Sequence, residues 1–119
     1  MTNIHADGAP QYFDFDGALE KIGDLPALQD LLGMLQISLT RDIPKIDALL
    51  AQNDVYMANR MLHSLKGFIP IFCTEALCNE VAAVELLSRL AGADEVAVAY
   101  AELSPKLKQL QSEVAVHLG

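Results

Sequence analysis

The sequence has little of what a nucleic-acid-binding or membrane-spanning protein needs. Its 119 residues carry only 8 Lys and Arg against 16 Asp and Glu, a formal net charge of −8. Because nucleic acids and anionic membrane surfaces are bound by clustered basic side chains, this acidic balance argues against both as partners. No uninterrupted apolar run is long enough to cross a bilayer. We therefore expect no nucleic-acid partner and no membrane-spanning segment.

Cysteine, glycine and aromatic residues are also scarce. Cys73 and Cys78 are five residues apart near a predicted helix start, a spacing typical of neither a disulfide framework nor a metal site. The N-terminus lacks the basic and apolar regions of a signal peptide, so we expect a cytoplasmic location. With 52% apolar residues, 7 glycines and 6% aromatics, the composition favours one all-α domain over a β-sandwich.

Apolar residues recur with the period of an α-helix along most of the chain. We predict a short helix that Asp14 or Asp16 caps and Gly23 closes, followed by four long helices, of which Asp24 caps the first and Thr74 the third. The long helices are predicted at about residues 25–52, 55–72, 75–90 and 94–118. The first should continue across Pro44 with a kink, and the last should bend at Pro105. Short connections predict an antiparallel four-helix bundle with a short extra N-terminal helix, spanning 13–119. Residues 1–12 have no periodicity and are predicted to be a flexible tail.

One of these helices has a narrow apolar stripe and an opposite polar face. The stripe consists of Ala58, Leu62, Leu65, Ile69 and Phe72. At 100° per residue, His63, Gly67 and Tyr56 lie roughly 120° to 180° from the centre of the stripe, and Lys66 lies at its border. The histidine is therefore predicted to point outward.

An outward histidine on a helix is most often only solvated, but the neighbours of His63 favour chemistry. Gly67, one turn further on, costs roughly 1 kcal/mol relative to alanine in a helix interior, which close approach by a large partner would explain. Lys66 brings a cation within reach of a phosphoryl group on the imidazole. Nothing nearby suggests a catalytic triad, so the histidine itself would be the nucleophile.

Metal chemistry is a weaker hypothesis. The three histidines, His5, His63 and His117, are far apart in the sequence. None belongs to a His-x-x-x-His or Glu-x-x-His pair, the spacings that place two ligands on one helix face. We therefore predict no metal site.

The motif His63-x-Leu65-Lys66-Gly67 resembles the H-x-L-K-G signature of histidine-containing phosphotransfer (HPt) domains, the intermediates of multistep phosphorelays. The likeness covers nearly the whole chain from Phe13 onward. Its other elements are Phe13-Asp14 with Leu19, the apolar segment with Asp42 and Pro44, Ala51-x-x-Asp54, and Leu77 with Glu85. Family members usually have small residues after the glycine and another glycine near position 73. This chain has Phe68, Ile69, Pro70 and Cys73 instead, which alters the expected docking surface.

The resemblance implies a phosphoryl carrier rather than an enzyme that turns over a substrate alone. His63 would accept a phosphoryl group from a receiver-domain aspartyl-phosphate and pass it to another receiver aspartate. Lys66 would stabilise the phosphoryl charge, and Gly67 would give the receiver access. Mg²⁺ would belong to the receiver, so no cofactor is expected here. The implied partners are response-regulator receiver domains and a hybrid sensor histidine kinase, and we expect a monomer.

Five apolar side chains are candidates for partner docking: Met34, Ile37, Tyr56, Phe68 and Ile71. Met34 and Ile37 lie off the apolar stripe of their helix and are predicted to be exposed. Such a patch would serve a non-catalytic helical-bundle interaction module equally well, and this is the alternative function. The chain is compatible both with a free-standing protein and with one domain of a larger sensor kinase.

Overall fold

A computed structural model describes residues 11–118 of the chain. This part contains five α-helices and one 3₁₀ turn, so the predicted all-α fold is confirmed. The helices are α1 (Phe15–Ile22), α2 (Leu25–Ala51), α3 (Val55–Phe68), α4 (Glu75–Leu90) and α5 (Ala93–Leu118), and the 3₁₀ turn is Ile69–Ile71. Most of the predicted tail, residues 1–10, lies outside the described residues.

Aspartate side chains start the first three helices by accepting a backbone N–H from the first turn. Asp14 accepts from Gly17 at 3.0 Å, Asp24 from Ala27 at 3.0 Å, and Asp54 from Met57 at 3.2 Å. The predicted caps of α1 and α2 are thereby confirmed. Thr74 occupies the N-cap position of α4, as predicted, but its side chain makes no capping hydrogen bond.

The prolines act differently according to position. Pro44 lies inside α2 and Pro105 inside α5, and each helix continues through its proline, as predicted. Pro70 follows the end of α3, which stops at Phe68 rather than near residue 72. A proline lacks the N–H needed for the next α-helical bond, and the chain tightens there into the 3₁₀ turn.

The core forms where the apolar stripes of the helices meet. The stripe of α3 and the two residues that continue it, Ile69 and Phe72, are all buried, as predicted. The helical periodicity of α4 and α5 predicts that Leu90 and Leu118 face inward, but both are exposed. Each is the last residue of its helix, where little neighbouring surface remains to cover a side chain.

Packing between helices places α3 at the centre of the site described below. Helix α3 contacts both α2 and α4, and α5 contacts the same two helices. The outer face of α3 is therefore flanked by α2 on one side and α4 on the other. None of the described helices contains a segment long and apolar enough to cross a membrane.

The segment that precedes α1 is bound to distant parts of the chain. Glu113 of α5 accepts the backbone N–H groups of Gln11, Tyr12 and Phe13 at 2.8 to 2.9 Å. Asp14 N–H donates to the carbonyl of Phe72 at 2.7 Å, just after the 3₁₀ turn. Residues 11–14, which we call the N-terminal clip, thus join α5 to the connection between α3 and α4.

Candidate functional site

His63 lies on the exposed face of α3, as the periodicity predicts. Its side chain is 69% exposed, while Leu62 and Leu65 on either side are buried. The imidazole is therefore held on a rigid helix whose other face is anchored in the core. A partner can reach the ring without any rearrangement of the backbone.

A buried carboxylate from α4 lies beside this histidine. Glu85 Oε2 is 3.7 Å from Nδ1 of His63, and the Glu85 side chain is only 1% exposed. Lys66 Nζ donates to Oε1 of the same carboxylate at 3.2 Å, and Arg89 Nη2 donates to it at 2.8 Å. Two of the three residues predicted for the site, His63 and Lys66, are thus brought together around Glu85.

Two further polar groups complete the surroundings of Glu85. Asn59 Nδ2 donates to Oε2 at 3.1 Å and also reaches Ser88 Oγ at 2.8 Å. Burial alone would raise the pKa of Glu85, but the hydrogen bonds from Arg89, Lys66 and Asn59 outweigh it and lower the pKa to about 2. Glu85 is therefore ionised throughout the neutral pH range.

The position of this carboxylate constrains the chemistry of the imidazole. An anion facing Nδ1 favours the neutral tautomer that carries its proton on Nδ1, because that N–H points toward negative charge. The lone pair then resides on Nε2, on the opposite side of the ring. At 3.7 Å the contact is longer than a hydrogen bond, so the carboxylate acts on the ring through its charge.

The surface around His63 is locally basic on an acidic protein. A groove of about 650 Å³ runs over α3, and its lining includes His63, the three arginines Arg41, Arg60 and Arg89, and the buried carboxylates Asp42 and Glu85. With Lys66 beside the groove, four of the chain's 8 basic residues gather at this face. A dianionic group attached to the imidazole would therefore meet a favourable potential.

Gly67 is exposed and has free space around it. A β-carbon added there would meet no heavy atom within 4 Å, and its φ angle is not in the left-handed region. Neither packing within the chain nor backbone strain therefore requires glycine at this position. Access by something outside the chain remains as a reason for it.

The five predicted docking residues divide into two groups. Met34, Ile37 and Tyr56 are well exposed, as predicted. Phe68 and Ile71 are half-buried and pack against the core, and Phe68 makes an edge-to-face contact with Phe72 at 5.2 Å. Only part of each of these two side chains is available to a partner.

The sequence motif includes Glu85 but does not indicate its role, and Asn59, Ser88 and Arg89 were not predicted as site residues. A signal was present, because Glu85 and Ser88 lie in helical phase with the apolar residues Val81 and Val84. All four are buried in the structure. A charged residue on a core-facing stripe predicts a nearby partner of opposite charge, since burying an unpaired charge is costly.

The described residues contain no group of three His, Cys, Asp or Glu side chains placed to hold a metal ion. His117 instead stacks on Phe15, with ring centroids 4.9 Å apart, and meets the edge of Phe13 at 5.1 Å. His5 lies outside the described residues. The candidate site is therefore organised around His63 alone among the histidines that the structure describes.

Scans against models of protein families and searches of curated proteins and of solved structures found no match. The chemistry of the site is therefore inferred from the positions and charges of its own residues.

Proposed function

We propose that this protein is a phosphorelay intermediate of the HPt type, in which His63 carries the phosphoryl group. The observation that carries the proposal is an exposed imidazole whose Nδ1 faces the buried, ionised Glu85, with Lys66 and Arg89 beside it. This arrangement leaves Nε2 free as a nucleophile. It also supplies two cations for the incoming charge.

In the proposed transfer, Nε2 of His63 attacks the phosphorus of an aspartyl-phosphate on a receiver domain. A P–N bond forms as the P–O bond to the aspartate breaks, and the aspartate leaves as a carboxylate. The proton on Nδ1 stays in place, so the imidazole becomes cationic as its lone pair is used. Transfer onward to a second receiver aspartate reverses these changes.

Glu85 would act as a positioning residue in this reaction. Its carboxylate favours the tautomer with hydrogen on Nδ1 and stabilises the positive charge that the ring gains during P–N bond formation. Because α3 and α4 are packed together, the carboxylate is already in place before the partner arrives. Such preorganisation lowers the barrier without a cost of reorganisation.

Lys66 and Arg89 would contact the phosphoryl oxygens. Both now share Glu85 Oε1, and their side chains are partly exposed, so each can turn toward a new anion without leaving the site. Mg²⁺ and the acidic pocket would be supplied by the receiver. The protein would need no cofactor of its own and would be a carrier rather than a turnover enzyme.

The proposal also includes the arrangement of the helices. The contacts of α2 with α3 and α5, and of α4 with the same two helices, support a closed antiparallel four-helix bundle with α1 as the short extra helix. In such a bundle His63 lies on an outer face, and a receiver can dock against α2 and α3. Met34, Ile37 and Tyr56 would provide its main apolar contacts, with Phe68 and Ile71 at the edge.

The proposed partners are receiver domains of response regulators and of a hybrid sensor histidine kinase. We propose that the protein meets them in the cytoplasm as a monomer. The acidic net charge and the basic groove around His63 together would orient an acidic receiver pocket toward the histidine.

The test is incubation of the purified protein with a panel of receiver domains labelled on the aspartate with ³²P. We expect acid-labile, base-stable label on the wild-type protein and none on His63→Gln. His117→Gln is the matched control and should be labelled like the wild type. Label on the His63→Gln variant that maps to another histidine would overturn the assignment.

The second candidate, a non-catalytic interaction module, is favoured by one observation. Met34 and Ile37 on α2 and Tyr56 on α3 expose large apolar side chains on two helices that pack together, and a partner could cover them without any chemistry. Such a module would bind a receiver without taking up phosphate. Receiver binding by calorimetry with no label on His63 would establish it.

A further inference from the structure

Helix α2 buries a carboxylate in the middle of its apolar stripe. Asp42 is only 5% exposed, and the neighbouring stripe residues Leu39, Ile43 and Ile46 are buried with it. A buried carboxylate costs several kcal/mol unless it is paired and hydrogen-bonded. Its presence in this position therefore calls for a partner.

The hydrogen-bond donor that the chain itself provides leaves acceptor positions of the Asp42 carboxylate free. Arg41 Nε donates to Asp42 Oδ1 at 2.8 Å, but the Arg41 side chain is 66% exposed. Among the described residues, no other group donates a hydrogen bond to this carboxylate. A carboxylate has about four acceptor sites, so one exposed arginine satisfies it incompletely.

Asp42 also lines an open cavity between α2 and α3. The cavity has a volume of about 220 Å³, with an apolar lining from Met34, Leu65 and Phe68. Ser38 and Ser64 add hydroxyl groups near the carboxylate. Arg41, Asp42 and Ser64 also line the larger groove that contains His63, so the two spaces meet at these residues.

We propose that this cavity recognises one basic aliphatic side chain, a lysine or an arginine, on the face of the docking receiver domain. The methylene stem would lie on Met34, Leu65 and Phe68, and the cation would bind the free acceptor positions of Asp42. A purely apolar side chain would leave the carboxylate unsatisfied, and an acidic one would be repelled.

This recognition rests on the function proposed for His63 and adds partner specificity to it. Because Ser64 of the cavity directly follows His63, a side chain anchored there sets the register of the partner relative to the imidazole. Receivers without a basic residue at the matching position would dock more weakly. Arg41 competes for the same carboxylate, so its removal should strengthen the interaction.

The first test uses n-butylammonium as a probe of the cavity, with chemical shifts of the backbone amides read by NMR. We expect saturable shifts at Ser38, Ser64 and Phe68 in the wild type. Asp42→Asn should weaken binding about tenfold, the loss expected for one charge-assisted hydrogen bond. Asp47→Asn, an exposed carboxylate on the same helix, is the matched control and should bind as the wild type does.

Butan-1-ol and butyrate complete this test. Equal binding of butan-1-ol and n-butylammonium, or no shifts with either, would overturn the proposal, and butyrate should not bind. Arg41→Ala provides a second variant in case Asp42→Asn fails to fold, and we expect it to bind n-butylammonium more tightly. Unchanged or weaker binding by Arg41→Ala counts against recognition by Asp42.

The second test measures binding of a receiver domain that transfers phosphate to His63. Asp42→Asn should raise the Kd about tenfold, whereas Asp47→Asn should leave it unchanged. If receivers bind and label His63 equally well in both variants, the recognition pocket is wrong while the carrier function stands. If no receiver labels His63, the proposed function itself has failed, and the n-butylammonium result still decides the cavity.

Discussion

Two buried glutamates, Glu85 on α4 and Glu113 on α5, satisfy their charge in different ways. Both are almost inaccessible, at 1% and 7% exposure, and the pKa of each is lowered although burial alone would raise it. Glu85 is held by side chains, whereas Glu113 is held mainly by backbone N–H groups of the N-terminal clip.

This difference distinguishes Glu85, which belongs to the candidate functional site, from Glu113, which holds the N-terminal clip on α5. Lys66 and Arg89 extend from Glu85 into solvent and can exchange it for another anion. The N–H groups that bind Glu113 belong to the chain itself and have no alternative partner once the segment is folded. A carboxylate with side-chain donors can therefore take part in chemistry, while one with backbone donors fixes the path of the chain.

The largest effect is expected at Glu113. Glu113→Ala leaves three backbone N–H groups without their acceptor and should lower the free energy of unfolding by about 3 kcal/mol. Phosphoryl uptake by His63, measured where the variant is still folded, should stay near the wild-type rate. Urea denaturation checks the first point, with exposed Glu102→Ala as the control. A loss of transfer in folded Glu113→Ala would remove the distinction between the two glutamates.

The pH dependence of stability tests both carboxylates together. Below about pH 4.5 Glu85 is protonated in the unfolded chain. In the folded chain its pKa is about 2, so it stays ionised until the pH is much lower. Protonation thus favours the unfolded state, and stability is complete above pH 5 and falls as the pH is lowered toward 2. Because Lys66 and Arg89 are partly exposed, solvent screens their attraction to the carboxylate, and we expect Glu85 to account for about 1 kcal/mol of this fall.

Urea titrations at pH 5 and pH 2.5 measure that fall directly. Glu85→Gln should show a shallower decrease than the wild type, since one carboxylate with a lowered pKa is gone. Glu113→Gln should also be shallower, because the pKa of Glu113 is lowered as well. If the free energy of unfolding decreases equally in all three proteins, the hydrogen bonds to Glu85 and Glu113 do not stabilise their ionised forms.

At Glu85 the expected effect is on transfer more than on stability. Glu85→Ala should slow phosphoryl transfer about tenfold. The imidazole of His63 then lacks the anion that orients it and that stabilises its positive charge during transfer. Stability should fall by only about 1 kcal/mol, since Lys66 and Arg89 can turn to water. Single-turnover kinetics with one labelled receiver give the rate. Glu80→Ala is the control, because Glu80 also lies on α4 and its ion pair, with Lys106 of α5, is away from the site.

The smallest effect on stability is expected at Gly67. Gly67→Ala should raise the free energy of unfolding by up to about 1 kcal/mol, because the added methyl group meets open space and favours the helix. Gly67→Arg should impair receiver docking and slow transfer. Gly92→Arg, also in open space but in the connection between α4 and α5, should not. Wild-type transfer by Gly67→Arg would show that the glycine serves another purpose.

Local signals carried most of the predicted secondary structure. Asp14, Asp24 and Asp54 identify helix starts because their side chains bond N–H groups only three residues away. The end of α3 was placed too late. Periodicity continues through Ile69 and Phe72, which are buried, and does not distinguish an α-helix from the 3₁₀ turn that Pro70 imposes.

By itself, the sequence determined which residues form helices and which face of α3 is buried, so His63, Gly67 and Tyr56 were correctly predicted to point outward. Those properties depend on contacts within one helical turn. Only the tertiary structure decided that Glu85, 19 residues from Lys66 along the chain, lies beside the imidazole. It alone placed Glu113 on the backbone of Phe13, 100 residues away. Helical periodicity fixes the face on which a side chain lies, but the opposing side chain is set by how whole helices pack.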